Sequence, residues 1–130
     1  MTTLTDGTTT VNFTDDLLWS DEFSWQPVEQ SETRSITGAL VLQIGVRTAG
    51  QPITLEPPAE GGAWLARAQL DQLAGWAAVP GQVLTLTLRG VARSVVWRHQ
   101  NTAITAQPVM HCNDVQAADD YIATLRLQTI

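Results

Sequence analysis

Apolar side chains recur at every second position over much of this chain. Segment 40–46 carries Leu, Leu, Ile and Val at alternate positions, and segment 84–88 carries three Leu in the same way. Shorter runs at 10–13, 104–110 and 121–127 alternate similarly. Because successive side chains of a strand point to opposite faces, this period predicts strands. We therefore predict a mainly β fold of about eight strands, a β-sandwich or a partly open barrel.

One segment in the middle of the chain has a helical period instead. Leu70, Leu73 and Ala77 recur at the spacing of one helix face, and Pro80 with Gly81 follows as a stop signal. This predicts a single α-helix at about residues 68–78. Gly61 and Gly62 interrupt regular secondary structure just before residues 63–67, so we expect these residues to form a short strand that leads into the helix.

The length of 130 residues fits a single domain over 1–130. Residues 1–9 are rich in Thr, and we expect them to form a flexible N-terminal arm that becomes ordered on assembly. They have neither a basic start nor an apolar stretch, so we expect no signal peptide. Two prolines and two glycines in 56–62 predict an irregular loop. Arg89-Gly90 is typical of a tight turn between two strands.

Charge and composition narrow the choice of partners. The net charge is −6, and all seven positive charges are Arg, with no Lys. Nucleic acids and anionic lipids attract cationic surfaces, so we expect neither as a partner. The longest uninterrupted apolar run is four residues, too short to span a membrane. The 17 Thr and 11 Gln predict outer strand faces that are polar but uncharged. Such faces cost less to desolvate than Lys or Glu and so suit packing between copies of the chain. The use of Arg without Lys points the same way, because Arg is the cation that interfaces prefer.

Residues that could carry chemistry are few. Cys112 directly follows His111, and neighbours on a strand point to opposite faces, so the two cannot act as a pair there. His99 is the only other histidine. We interpret Cys112 as a small core residue and His111 as a surface residue, and expect no catalytic residues.

Several acidic residues are candidates for metal ligands or catalytic groups. A calcium site would draw on Asp15, Asp16, Asp21 and Glu22, but these lack the alternating spacing and central Gly of a calcium loop. A glycosidase needs two carboxyl groups across a cleft, and nothing in the sequence brings Asp119 or Asp120 to Glu56 or Glu60. We expect no metal, no cofactor and no enzyme activity.

Tryptophan supplies five of the eight aromatic residues. Trp76 and Trp97 lie on apolar faces and are predicted to be core. Trp19 and Trp25 lie in an acidic stretch, and together with Trp64 they are our candidate interface anchors, since interfaces favour exposed aromatic side chains. The alternative is that exposed Trp residues form a platform for sugar.

The order of segments resembles a known family. Trp19-Ser20-Asp21-Glu22-Phe23-Ser24-Trp25 is followed by Thr37–Gln43, then by Gly50-Gln51-Pro52-Ile53-Thr54-Leu55, then by the helix and a β-meander. This looks like small tail-tip proteins of long-tailed bacteriophages, especially the N-terminal domain of distal tail (baseplate hub) proteins, in which a G-[RQ]-P-I-T-L strand precedes a Leu-rich helix and a hairpin. Because the sequence stops at Ile130, we do not expect the second, galectin-like domain that many of them carry.

The resemblance implies a β-sandwich-like domain that forms a ring, commonly of six copies, and links the tail tube to the hub or fibres. The expected function is thus a structural ring or collar subunit at the tail tip of a virion, made in the host cytoplasm. Its expected partners are copies of itself and neighbouring tail proteins. The alternative is a carbohydrate-binding module with a Trp platform, and a third hypothesis is a small hydrolase using Cys112 or a carboxylate pair.

Overall fold

The computed structural model describes residues 2–14, 16–58, 62–110 and 114–130. Within them the chain is mainly β, with antiparallel strands and one α-helix. The helix is α1 (Arg67–Ala77), and a short 3-10 helix spans His99–Asn101. The strands are β1 (Thr2–Thr5), β2 (Thr10–Phe13), β3 (Leu18–Trp19), β4 (Val28–Arg34), β5 (Leu40–Val46), β6 (Pro52–Glu56), β7 (Trp64–Ala66), β8 (Leu84–Leu88), β9 (Val91–Trp97), β10 (Ile104–Pro108) and β11 (Asp120–Thr129).

Nine of these strands form one sheet around one core. Its order is β2-β1-β8-β9-β11-β6-β3, and β7 and β10 also pair with β11. Buried apolar residues from both ends of this order belong to a single cluster, so the sheet curves around its contents. This confirms the predicted mainly β fold. The described strands number eleven rather than about eight, and the strands longer than two residues that the sequence analysis did not predict are β1 and β4.

Strand β11 is the strand on which the sheet is built. It pairs with β9 and β10 and also with β6 and β7, all antiparallel. Its alternation of Tyr121, Ala123, Leu125 and Leu127 is buried at every second position, as the period of two requires. The predicted hairpin of β8 and β9 is also confirmed. Arg89 and Gly90 both have positive φ, which is the conformation of a tight two-residue turn.

The expectation of a flexible N-terminal arm is wrong for the described residues 2–9. Strand β1 lies inside the sheet between β2 and β8, and Leu4 is fully buried. Thr is a β-branched residue that favours strands, so a Thr-rich segment with one Leu can complete a sheet. The turn into β2 is held by Asp6, whose Oδ1 accepts hydrogen bonds from the backbone N–H groups of Thr8 and Thr9, both 2.8 Å.

Helix α1 closes one side of the core and confirms the prediction of residues 68–78 to within one residue at each end. Leu70, Leu73 and Trp76 are buried on its inner face. The short strand predicted before it is β7. At the start of the helix the side chain of Gln69 accepts a hydrogen bond from the backbone N–H of Ala66, which satisfies one free donor of the first turn.

Strands β4 and β5 form a separate two-stranded sheet. Their register pairs Val28 with Val46 and Arg34 with Leu40, and all fourteen residues are exposed. The alternation of 40–46, typical of a strand over a core, thus belongs to a hairpin whose apolar side chains are exposed. From here on, the arm means the hairpin of residues 28–46, not the N-terminal segment, and the body means the rest of the described chain.

Candidate assembly surfaces

The arm presents an apolar face to solvent. In β5, alternate side chains point the same way, so Leu40, Leu42, Ile44 and Val46 share one face. Val28, opposite Val46, belongs to the same face. The exposed fractions of these five side chains run from 43 to 75%. An uncovered row of this kind on a protruding hairpin is typical of a surface that a partner covers.

The arm is ordered by its own hydrogen bonds. At its tip, Ser35 N–H donates to Ala39 O, and Gly38 N–H donates to Ser35 O, both at 2.9 Å. At its root, the Nε of Arg47 donates to Glu29 at 3.0 Å and the guanidinium lies 5.9 Å from the ring centre of Trp25. A lone two-stranded hairpin is only marginally stable in water, so these contacts pre-order the arm without covering it.

A network of partly buried polar groups anchors the loop that leads to the arm. Asp21 accepts hydrogen bonds from the backbone N–H of Thr54, at 2.9 Å, and from its hydroxyl, at 2.8 Å. Arg98 donates from Nε to Leu127 O at 3.0 Å and also to the hydroxyl of Thr54. The guanidinium of Arg98 lies 3.8 Å from the Asp21 carboxylate. Arg98 therefore serves an internal network rather than an outer contact face.

The three predicted anchors do not lie in one surface. Trp19 is only 6% exposed, so its selection as an exposed anchor is wrong. Its pairing with Leu55 of β6 puts the ring in the core, and Arg93 and Arg89 lie over that ring at 5.1 and 6.0 Å. Two of the acidic neighbours that suggested exposure, Asp21 and Glu22, make contacts of their own. Glu22, for example, accepts a hydrogen bond from Arg89 at 2.6 Å.

The other tryptophans fall into two groups. Trp25 is half-buried at the root of the arm, and Trp64 is 49% exposed on β7, paired with Ile122. Both are accessible, as expected of interface residues, but on separate elements. Trp76 and Trp97 are buried, which confirms them as core. The indole N–H of Trp76 lies 3.2 Å from the Asp6 carboxylate, and backbone hydrogen bonds from Thr9 and Thr8 lower the pKa of Asp6 below its ordinary value.

A second apolar surface, which the sequence reasoning missed, is a groove of about 700 Å³ between α1 and β10. Its apolar lining is mainly Ala and includes residues on both walls, namely Leu70, Ala74, Ala77, Ala78, Ile104 and Ala106. The polar rim includes Arg67, whose Nε donates to Asp71 at 3.0 Å and whose NH1 donates to the Tyr121 hydroxyl at 3.0 Å. The small residues at 74, 77 and 78 on the helix were the available signal for a groove.

A smaller hollow of about 420 Å³ lies beside Trp64. Val109, Met110, Asp119 and Asp120 contribute to its lining. It combines one aromatic side chain with carboxylates.

The residues weighed for chemistry stay apart or lie outside the described residues. Cys112, His111, Asp15 and Glu60 are in the latter group, and His99 is exposed in the 3-10 helix. Asp119 accepts a hydrogen bond from the backbone N–H of Gln116, as in a turn. In the part of the chain that the structure describes, no three His, Cys, Asp or Glu residues come together as a metal site.

Two further findings bear on the class of protein. None of the helical segments in residues 2–14, 16–58, 62–110 and 114–130 is long and apolar enough to cross a membrane. Comparison of the chain with protein-family models, with curated proteins and with solved structures finds no match.

Proposed function

We propose that this chain is a structural subunit that assembles with copies of itself and with neighbouring proteins. The observation that carries the proposal is the arm, an ordered hairpin with five apolar side chains on one exposed face. Exposed apolar surface of this extent favours burial against a partner. The proposal assigns the chain no catalytic role.

Among assemblies we propose the tail tip of a bacteriophage, as a ring or collar subunit that links the tail tube to the hub or fibres. This choice rests on the resemblance in the order of segments. The Gly50–Leu55 stretch contains most of β6, and helix α1 and the β8–β9 hairpin follow it, in the order that the resemblance leads us to expect. The uncharged polar residues of the outer strand positions suit packing against other copies.

The test is the size of the full chain in solution. Sedimentation velocity over a range of concentrations, followed by negative-stain electron microscopy, should reveal closed rings or higher oligomers. A species that stays monomeric at all concentrations, and that does not bind to purified phage tails lacking their tip, would contradict the proposal.

The hollow beside Trp64 supports one second candidate, a carbohydrate-binding module. An aromatic ring that is half exposed beside Asp119 and Asp120 offers a face for a sugar ring and acceptors for its hydroxyl groups. Retardation of the chain in gels that contain polysaccharide, lost in Trp64→Ala and kept in Trp25→Ala, would favour this function over assembly.

A further inference from the structure

Among the described residues, strand β10 has one unpaired edge, and its residues Ile104 and Ala106 line the groove. Among the described strands it pairs only with β11, and the bonds Arg126 N–H to Ala103 O and Val109 N–H to Asp120 O bracket that pairing. In an antiparallel pair the bonded residues alternate, so the odd positions of β10 bond to β11. The backbone N–H and C=O groups of Ile104 and Ala106 therefore point away from β11, toward the open edge.

The outer edge of β5 has the matching pattern. The bonds Ser35 N–H to Ala39 O and Arg47 N–H to Pro27 O bracket the β4–β5 pair, so the odd positions of β5 bond to β4. The backbone groups of Leu40, Leu42 and Ile44 consequently point outward. The residues that carry the exposed apolar side chains are thus the ones whose backbone N–H and C=O groups point away from β4.

We propose that β5 of one copy pairs with the free edge of β10 in a second copy, and that Leu40, Leu42 and Ile44 fill the groove against α1. This inference rests on the proposed function and specifies which surfaces of two copies come into contact in the assembly. The larger side chains of β5 would meet a lining that is mainly Ala, so large residues oppose small ones.

Charge favours a second copy as the occupant. The arm and the adjoining Arg47 hold two acids, Glu29 and Glu32, and two Arg residues, so this segment has no net charge. The remaining eleven acids and five Arg give the rest of the chain the whole charge of −6. Two acidic bodies repel each other, whereas a neutral arm can approach an acidic body without that cost. Because the arm and the groove are different surfaces, one such contact leaves a second arm and a second groove unfilled, and these either propagate the contact into a ring or a filament or close it by reciprocal exchange in a dimer.

Site-directed cross-linking tests the contact. In a Cys112→Ser background, Leu42→Cys and Ala106→Cys variants are mixed and treated with a short bismaleimide, and the linked peptides are identified by mass spectrometry. The matched control replaces Ala106→Cys with Thr10→Cys, on the outer edge strand β2. We expect the Leu42–Ala106 link between two chains, at a yield at least about tenfold above the control.

The outcomes separate the two proposals. An oligomer that gives the Leu42–Thr10 link instead overturns the groove contact and leaves the assembly function standing, whereas the absence of both oligomer and link overturns both. A Leu42–Ala106 link found only within one chain, in the double-cysteine variant at high dilution, also overturns the contact.

The second measurement compares two charged variants of helix α1. Ala74→Glu, in the groove, should weaken self-association at least about tenfold. Ala68→Glu, on the same helix but outside the groove lining, should change self-association less than about twofold. Equal effects of these two variants would overturn the contact.

Discussion

Replacement of Leu40, Leu42 and Ile44 by Thr should weaken self-association while leaving the body folded. The exposed fractions of the three side chains are 46, 43 and 64%. Full burial of such a side chain contributes roughly 2 kcal/mol, so covering the exposed half contributes about 1 kcal/mol each and about 3 kcal/mol for the three. At about 1.4 kcal/mol per factor of ten, the association constant should fall roughly 100-fold. Thr keeps the preference for strands, so the hairpin itself is retained.

The assay compares sedimentation equilibrium with thermal unfolding on the same samples. Because these side chains lie outside the core cluster, the triple variant should change the melting temperature by less than about 2 °C. Leu86→Ala, at a fully buried position, should cost about 2–5 kcal/mol. The matched control for association is Val41→Thr, on the opposite face of β5, which should leave the association constant within about twofold.

Either of two results would refute this reasoning. If the triple variant unfolds at as low a temperature as Leu86→Ala, the arm packs on the body and its apolar face is part of the fold. If self-association is unchanged, or if Val41→Thr weakens it equally, the apolar face is not the contact.

Three further predictions concern the body. Asp21→Ala should cost about 2–3 kcal/mol of unfolding free energy by chemical denaturation, because it leaves Thr54 and Arg98 without their carboxylate partner, and a loss below about 0.5 kcal/mol would contradict the network. Leu4→Ala should lower the unfolding free energy by about 2–4 kcal/mol, and no change would contradict a buried β1. The pKa of Asp6 in the folded chain lies below its ordinary value of 3.8. The ionised carboxylate therefore contributes to folding stability above pH 3.8, and this contribution is lost as the pH falls through the folded pKa. The difference in melting temperature between the wild type and Asp6→Asn should therefore shrink from about pH 5 to about pH 2, and a constant difference would contradict it.

The body could be predicted where local pattern and burial agree. The alternation of β8 and β11 and the spacing of Leu70 and Leu73 each report a face that is in fact buried, and Pro80 lies just beyond the end of the helix, so the predicted strands and helix lie close to their true bounds. Period alone does not say what a face packs against. For that reason segment 40–46 predicted a strand correctly but gave no sign that it stands away from the core.

The remaining differences come from contacts between distant parts of the chain. Strand β1 pairs with β8, more than seventy residues away, and no local feature of the Thr-rich start announces that partner. The acidic neighbours of Trp19 predict exposure, but Asp21 turns inward to Thr54 and Glu22 bonds to Arg89. The groove depends on how α1 lies beside β10, which a helical period cannot specify.

The distance along the chain between paired strands also sets an order of events in folding. The two strands of the arm are neighbours in sequence, and a local hairpin forms in about 1–10 μs. The body needs β1 to find β8 and β11 to find β6, and folds rich in such distant pairings take milliseconds to seconds. For most of that interval the apolar side chains of β5 are exposed, whereas the groove between α1 and β10 has not yet formed. Refolding at high protein concentration should therefore favour arm-to-arm pairing and aggregation, whereas refolding at low concentration should favour the native fold of each chain.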